Sequence, residues 1–466
     1  MNYEKTFQDF EVEKAKGKTA EFLRALINTH RSSDAVKIAL DADAYDHREN
    51  ITIKKFEKTL FTTNGHQVVN YTASNMKVCS NFFGLLNTQR VSYSLGNGVT
   101  FSDAKLKEKL GVDFDTVLKK AGRYALIHGV SFLFYNSDHC HLFKLTEFVP
   151  LYDEATGMLR AGARFYQIDQ RKPLTVVLYE EDGYTTFRTK ANGSKLEEIE
   201  PKRAYKQIVS FNPADGETII GEENYGALPI VPLWGSDLKQ STLIGMREQI
   251  DSYDLIRSGF ANDLLDCAQI YWIISGFMGM TDPELSQFRD RLLFNHIALV
   301  DSDNGSVTPY TQQIPFESRT AYLEQIRKQI YNDFGAVDVT NFSSSTKTAT
   351  EIQAAYQPMD DMADDFEYQI IQTVQQILKL IGEEDTPIFK RNKVTNQLEQ
   401  VQLVIQEAEY LDDRTILEKL PNITPDEVEE ILKRKDAEDA TRMAQFDTGN
   451  KQENEKDEED EDETEE

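Results

Sequence analysis

Apolar positions along the chain change period twice. Up to about residue 120 they recur at three and four. Phe22, Leu23, Leu26 and Ile27 mark one helical face, and Leu85, Leu86, Val91 and Tyr93 within "VCSNFFGLLNTQRVSYSLG" mark another. The "GNG" that follows gives the backbone freedom for a helix stop. From about 122 to 235 the pattern becomes short aromatic and β-branched runs: "HGVSFLFYN", "LFKLTEFVPLYD", "AGARFYQID", "LTVVLYEEDG" and "YTTFRTK". "EEDG" and "KANGS" are turn signals between them. "YGALPIVPLWGS" closes this section, its prolines and glycines excluding both a helix and a central strand.

Helical spacing returns at Ser236. One pattern runs to about Leu265 on a stripe of Leu243, Ile250, Tyr253, Leu255, Ile256, Phe260 and Leu264. A second covers Glu317 to Phe334 with Leu323, Ile326, Ile330 and Phe334 on one face. Between them, 266–315 holds "IYWIISGFMGM", a short helix from Asp282 and the strand-like "HIALVDSDNGS". Two helices therefore bracket a small β-containing insertion. A very long helix is expected from Thr348 to Ile381, with Ile352, Tyr356, Met359, Met362, Phe366, Ile370, Val374, Ile377 and Ile381 at three and four. Pro358 lies inside it and predicts a kink, because proline removes a backbone donor and clashes one turn back. A last pair of helices is joined by "LPNITPDEVEE", with Thr424 as cap and Pro425 at the first helical position. Residues 447–466 are dominated by acids and are expected to be disordered. The fold class is α+β.

Charge narrows the function. The chain has 51 basic and 79 acidic residues, a net charge of −28. Counterion release needs clustered Lys and Arg, so contact with nucleic acid should be sparse or weak. Cys79, Cys140 and Cys267 are few and far apart, which reads as reduced thiols rather than a disulfide framework. The charged N-terminus is no signal peptide, and no apolar run is long enough for a membrane span.

Four stretches invite a chemical reading. "TNFSSSTKTATEI" resembles the end of a phosphate loop, but no glycine occurs between Gly335 and Gly382 to let backbone N–H groups curl around a phosphate. Thr348 and Glu351 fit a helix capping box instead. "SDHCHLF" places His139 and His141 on one strand face, with Asp138 and Cys140 on the other; no second ligand pair stands at zinc spacing. "MDDMADDFE" offers Asp360, Asp361, Asp364 and Asp365 as a two-metal cluster, with no basic partner nearby, so a solvated or inter-subunit face is expected. Arg247, Glu248, Asp251, Asp254 and Arg257 alternate in sign along one helix, which suits ion pairs between subunits. No catalytic motif is present, and no metal or cofactor is expected.

The order of these parts resembles the portal proteins of tailed bacteriophages, in the family typical of long-tailed phages of Gram-positive hosts. The resemblance covers about 40–446. It rests on "IALDADAYDHRENI", "NFFGLLNTQRVSYSLGNGVTF", "HGVSFLFYN…FVPLYDEATGMLRAGARFYQ", "SDLKQSTLIGMREQIDSYDLIRSGFANDL", "TATEIQAAYQPMDDMADDFEYQI" and "FKRNKVTNQLE…TILEKLPNITPDEVEEI". It implies a non-enzymatic, dodecameric ring of identical subunits at a capsid vertex, through which double-stranded DNA is packaged and ejected. Implied partners are the large terminase subunit, a head-to-tail adaptor, and the major capsid and scaffolding proteins. By resemblance, 1–235 is the first part of a wing, 236–264 and 317–338 are stem helices, and 265–316 is a clip. Residues 339–348 form a tunnel loop, 349–400 the kinked helix and rest of the wing, 401–446 a crown and 447–466 the tail. Asn341, Ser343, Ser344, Ser345, Thr346 and Lys347 would then face the DNA channel. The competing readings are a metal-dependent DNA-processing enzyme built on the aspartates, and another virion structural subunit.

Overall fold

The computed structural model describes residues 4–61, 65–69, 74–103, 105–169, 171–190, 195–212, 216–266, 271–275, 281–284, 286–287, 306–310, 315–338, 340, 349–392, 404, 406, 408, 411–420, 428, 431–435 and 437. Residues 341–348, Cys267, most of the 266–315 insertion, Thr424, Pro425 and the acidic tail lie outside the described residues.

The first unit spans 1–343 and 356–392. It opens with α1 (Phe7–Ala15), α2 (Thr19–Ser32), α3 (Asp34–Asp46) and α4 (Ile51–Lys55). Three of these starts are set by side chains that take an otherwise unpaired backbone N–H. Thr6 and Asp9 form a capping box, Ser33 accepts from the Val36 N–H, and Asn50 accepts from the Ile53 N–H. A hairpin of β1 (Thr59–Phe61) and β2 (Gln67–Val69) follows, then α5 (Phe82–Leu95), β3 (Val99–Thr100), α6 (Lys105–Leu110) and α7 (Phe114–His128). The strand territory therefore begins at Val130 rather than 122. Helix α7 buries Leu118, Ala121, Ala125 and Leu126 at helical spacing and stops only at Gly129. Gly129 has a φ of 87°, and a Cβ there would lie 2.8 Å from the Gln240 carbonyl carbon, so both conformation and space require glycine.

The strands are β4 (Val130–Asn136), β5 (His139–Lys144), β6 (Phe148–Tyr152), β7 (Leu159–Tyr166), β8 (Thr175–Glu180), β9 (Gly183–Thr189), β10 (Leu196–Arg203), β11 (Lys206–Asn212), β12 (Gly216–Glu223) and β13 (Ile230–Trp234). Every pairing is antiparallel. Strands β10-β9-β8-β7-β6 form a five-stranded meander, β13-β4-β5 a three-stranded sheet and β11-β12 a ribbon. "EEDG" makes the β8–β9 turn, with Glu180 opposite Gly183. Pro232 sits in the edge strand β13, where its missing donor is tolerated. One face of the meander takes Phe10, Phe22, Leu23, Leu26 and Ile27 from α1 and α2. Phe148 and Tyr179 meet Phe132, Phe134 and Phe143 of the smaller sheet.

The third territory is α8 (Arg247–Asp266), the paired strands β14 (Tyr271–Ser275) and β15 (Ser306–Tyr310), α9 (Phe316–Phe334), α10 (Ala349–Leu380) and β16 (Ile388–Phe389), which pairs with β3. The first long helix is shorter than its periodicity predicts. Residues 236–246 are turns, because Ser241 and Thr242 bond the last turn of α7 and Gly245 has a φ of 84°. Helix α9 ends at Phe334, as its periodicity predicts, at Gly335 with a φ of 64°. Helix α10 matches its prediction closely: Tyr356, Met359, Phe366, Ile370, Val374 and Ile377 are buried, although Met362 is exposed. Pro358 is inside it. Leu85, expected on the buried face of α5, is also exposed.

The second unit comprises 344–355 and 393–466. Its described part contains α11 (Asp413–Lys419), capped by Asp412 accepting from the Thr415 N–H, with Lys435 paired to Asp413.

Candidate functional site at the root of the two long helices

Helices α8 and α9 run antiparallel. Gln249 bonds Asp333 near one end, and Phe260 meets Phe316 at 5.5 Å near the other. The inner halves are set in apolar core, through Ile250 of α8 with Leu243 and Met246 just before it, and through Ile326, Ile330 and Phe334 of α9. The outer half of α8 is held differently. Asp254, Ser258 and Asn262, four residues apart, are all buried. Each bonds the backbone of the segment before α5: Asp254 accepts from Ser80 N (2.8 Å), Ser258 from Val78 N (2.9 Å) and Asn262 from Met76 N (2.6 Å). Two residues of extended chain advance about 6.7 Å, and four of helix about 6.0 Å. The steps therefore match over three rungs, and a polar stripe straps 76–80 along the helix.

Asp254 also accepts from Asn50 Nδ2 at 2.9 Å. Burial pushes its carboxyl pKa up, opposed by the donors on Asn50 and Ser80. Beside it, Arg247 pairs with Asp41 (2.8 Å) and Tyr45 donates to Asp251. Arg247, Asp251 and Asp254 are thus used within the chain. Their partners come from the α3–α4 region and residues 74–80. Glu248 and Arg257 remain exposed.

The far end of α9 leads towards residue 341. Arg90, buried on α5, donates to the Phe334 carbonyl at the helix C-terminus and lies 4.3 Å from the Phe334 ring centre. Burial lowers its guanidinium pKa to about 10, with Asp365 acting in the opposite direction. Gln89 donates to Val337 O (2.9 Å), and Arg327 bonds both Asp338 (3.0 Å) and Thr340 (2.9 Å). At Gly335 a Cβ would approach Pro358 O to 3.0 Å and Met362 Cγ to 2.8 Å, so the end of α9 lies directly on α10 beside its proline. The loop expected at 339–348 is anchored on its near side at five named residues. Its own site residues, Asn341, Ser343, Ser344, Ser345, Thr346, Lys347 and the cap Thr348, lie outside the described residues. Glu351 is exposed in the first turn of α10.

The aspartates of α10 do have a basic partner, contrary to the sequence reading. Arg391 donates Nε to Glu367 Oε1 (3.0 Å), Nη1 to Asp360 (3.0 Å) and Nη2 to Glu367 Oε2 (2.9 Å) and to Asp364. Its hydrogen bond with Glu367 leads in holding its guanidinium pKa well above the ordinary value. Tyr93 donates to Asp360, Gln357 to Asp361, and the Asp237 N–H meets Asp365. Positions 360, 364 and 367 face the arginine together. Among the described residues, no group of three or more His, Cys, Asp or Glu is placed to hold a metal ion. Nor is any described helix long and apolar enough to cross a membrane. Cys79 and Cys140 are free thiols.

Sequence reasoning missed Arg391, Arg90 and the stripe of Asp254, Ser258 and Asn262. The stripe carried a signal, a four-residue polar repeat opposite an apolar face, but an exposed helix side shows the same pattern.

A family model described as phage portal protein, SPP1 Gp6-like, matches residues 25–441. The portal protein of Clostridium phage phiCD119 is 24% identical over 458 residues, covering 89% of this chain and 94% of that protein. The portal protein of Bacillus phage SPP1 is 25% identical over 302 residues, covering 61% of this chain and 58% of the other. Among solved structures, a chain of the virion of a native gene transfer agent particle is 11% identical, covers 73% of this chain and 88% of its own, and gives a TM-score of 0.41. A chain of that particle's neck, computed with C12 symmetry, is 12% identical with a TM-score of 0.40, covering 73% and 90%.

Proposed function

The chain belongs to the SPP1 Gp6-like family of phage portal proteins, structural components of the virion, and from that premise we propose that it works as a DNA conduit with no chemistry of its own. Identical copies form a ring at one capsid vertex, dodecameric in the virion. Double-stranded DNA enters and leaves through the central channel. The span of the family match carries this reading, since it runs from the first helices to the expected crown.

In this reading α8 and α9 are the stem. The β14–β15 insertion is the clip that meets the terminase and later the adaptor. Residues 1–235 and 349–400 form the wing, contacting capsid and scaffolding proteins, and 401–446 form the crown. Residues 339–348 are the tunnel loop, with Lys347 touching phosphate. The charge supports the role physically. A passage for a polyanion must guide without holding, and a net charge of −28 leaves no broad basic surface to trap DNA. One lysine per subunit, repeated round a ring, makes brief, sequence-blind contacts. The nuclease reading loses its ligands, since Arg391 already engages Asp360 and Asp364.

Negative-stain imaging and native mass spectrometry of the purified protein should show hollow rings without hydrolytic activity. A monomer with divalent-metal-dependent nuclease activity would overturn the proposal. Lys347→Ala is expected to leave rings intact and to alter packaging rate or retained genome length. Unchanged values for both would remove the lysine from the DNA path.

A further inference from the structure

Strand β5 is the outer strand of its sheet, and at its start two exposed imidazoles converge. His139 Nε2 lies 2.8 Å from His141 Nε2, with ring centres 4.5 Å apart at 79°. Asp138, at the end of the preceding turn, pairs with His139 Nδ1. His141 is backed by the Phe134 ring, stacked at 6.2 Å. A carboxylate on Nδ1 fixes the tautomer of His139. Its Nδ1 carries the proton and its Nε2 presents a lone pair, the arrangement found behind metal-binding histidines. The His141 Nε2–H then donates to that lone pair. If His141 moves its single proton to Nδ1, both Nε2 lone pairs face the same point, and no net proton is released.

The geometry points to a binding site for one divalent transition ion of the Cu²⁺/Ni²⁺ type, held by His139 and His141 and oriented by Asp138. Imidazole nitrogens suit Cu²⁺ and Ni²⁺, and the general order of divalent affinities places Cu²⁺ above Zn²⁺. The remaining positions are open to water, because both histidines are exposed. Arg164, the nearby cation acting on His141, is itself 4.0 Å from Glu147. An ion bridging residues two apart would also stiffen an edge strand.

The test is a Cu²⁺ titration of the untagged full-length protein, followed by electron paramagnetic resonance. The expected result is one Cu²⁺ per chain with two coupled nitrogens and with Zn²⁺ bound more weakly. His139→Ala and His141→Ala should each abolish the two-nitrogen signal, with far-UV circular dichroism unchanged because both rings are exposed. Asp138→Asn should weaken binding roughly tenfold, the usual cost of losing an orienting carboxylate. A signal that persists in the double histidine variant, or saturable binding tighter for Zn²⁺ than for Cu²⁺, would overturn the assignment. These outcomes are independent of ring formation.

Discussion

Arg391→Ala is expected to destabilise the first unit by about 3 kcal/mol, at the lower end of the cost of removing one partner from a buried ion pair. The arginine side chain is 23% exposed, and Asp360 and Glu367 are 15% and 10% exposed, so this is not a surface pair. Removal takes the shared guanidinium from three carboxylates on successive turns of α10. It also frees the return segment 388–392, which otherwise holds β3 and the Tyr93 carbonyl. Arg391→Lys should recover only part, because one ammonium cannot fork across Glu367 while reaching Asp360. The raised guanidinium pKa keeps Arg391 charged throughout any practical range, so the native protein shows no titration from it. Urea unfolding midpoints with amide exchange in α10 measure both substitutions. A loss below about 1 kcal/mol would place the cluster with ordinary surface pairs.

The second large effect is expected at Asp254. Asp254→Leu leaves two buried donors, Ser80 N–H and Asn50 Nδ2, without an acceptor; hydrogen bonds to a charged group contribute about 1.5–3 kcal/mol each, so a loss of about 3 kcal/mol is expected. Asp254→Asn is not neutral either. Asn50 cannot turn its amide around, since its Oδ1 already takes the Ile53 N–H (3.0 Å). An amide at 254 therefore sets donor against donor, at about 1–3 kcal/mol. Burial raises the Asp254 pKa above that of the unfolded chain. Ionisation thus opposes folding, and this group's contribution to stability declines as pH rises from about 4 through the folded value. Asp254→Asn should lose that slope, which unfolding at several pH values between 4 and 7 would reveal. An unchanged slope would show that Asp254 does not titrate in that window.

How much of this was legible depended on whether a residue's partner was local. The buried face of α10 was readable because its core positions follow the helical period for six turns. The strands were readable because turn residues divide them. At 236–246 the period misled: Leu243 is buried as predicted, but side-chain bonds from Ser241 and Thr242 to α7 compete with helix formation. Arg391 was invisible as a partner because its acids stand 24 to 31 residues earlier, joined to it only by the chain's return along α5. Asp254, Ser258 and Asn262 read as a solvated helix side, since a sequence does not show what covers it. The family resemblance rested on the order of whole segments, and the match over 25–441 bears it out.

The strap along α8 is gripped through its amides, not its side chains. Its tolerance of substitution should therefore follow parity. Proline at 76, 78 or 80 would delete a rung by removing the N–H that Asn262, Ser258 or Asp254 receives. At 77 or 79 it would remove no rung and would favour the extended conformation of the residue before it. The side chains of the strap are then free to drift in identity while every second peptide group is held fixed. The brace is in effect a grammar of positions rather than a vocabulary of residues.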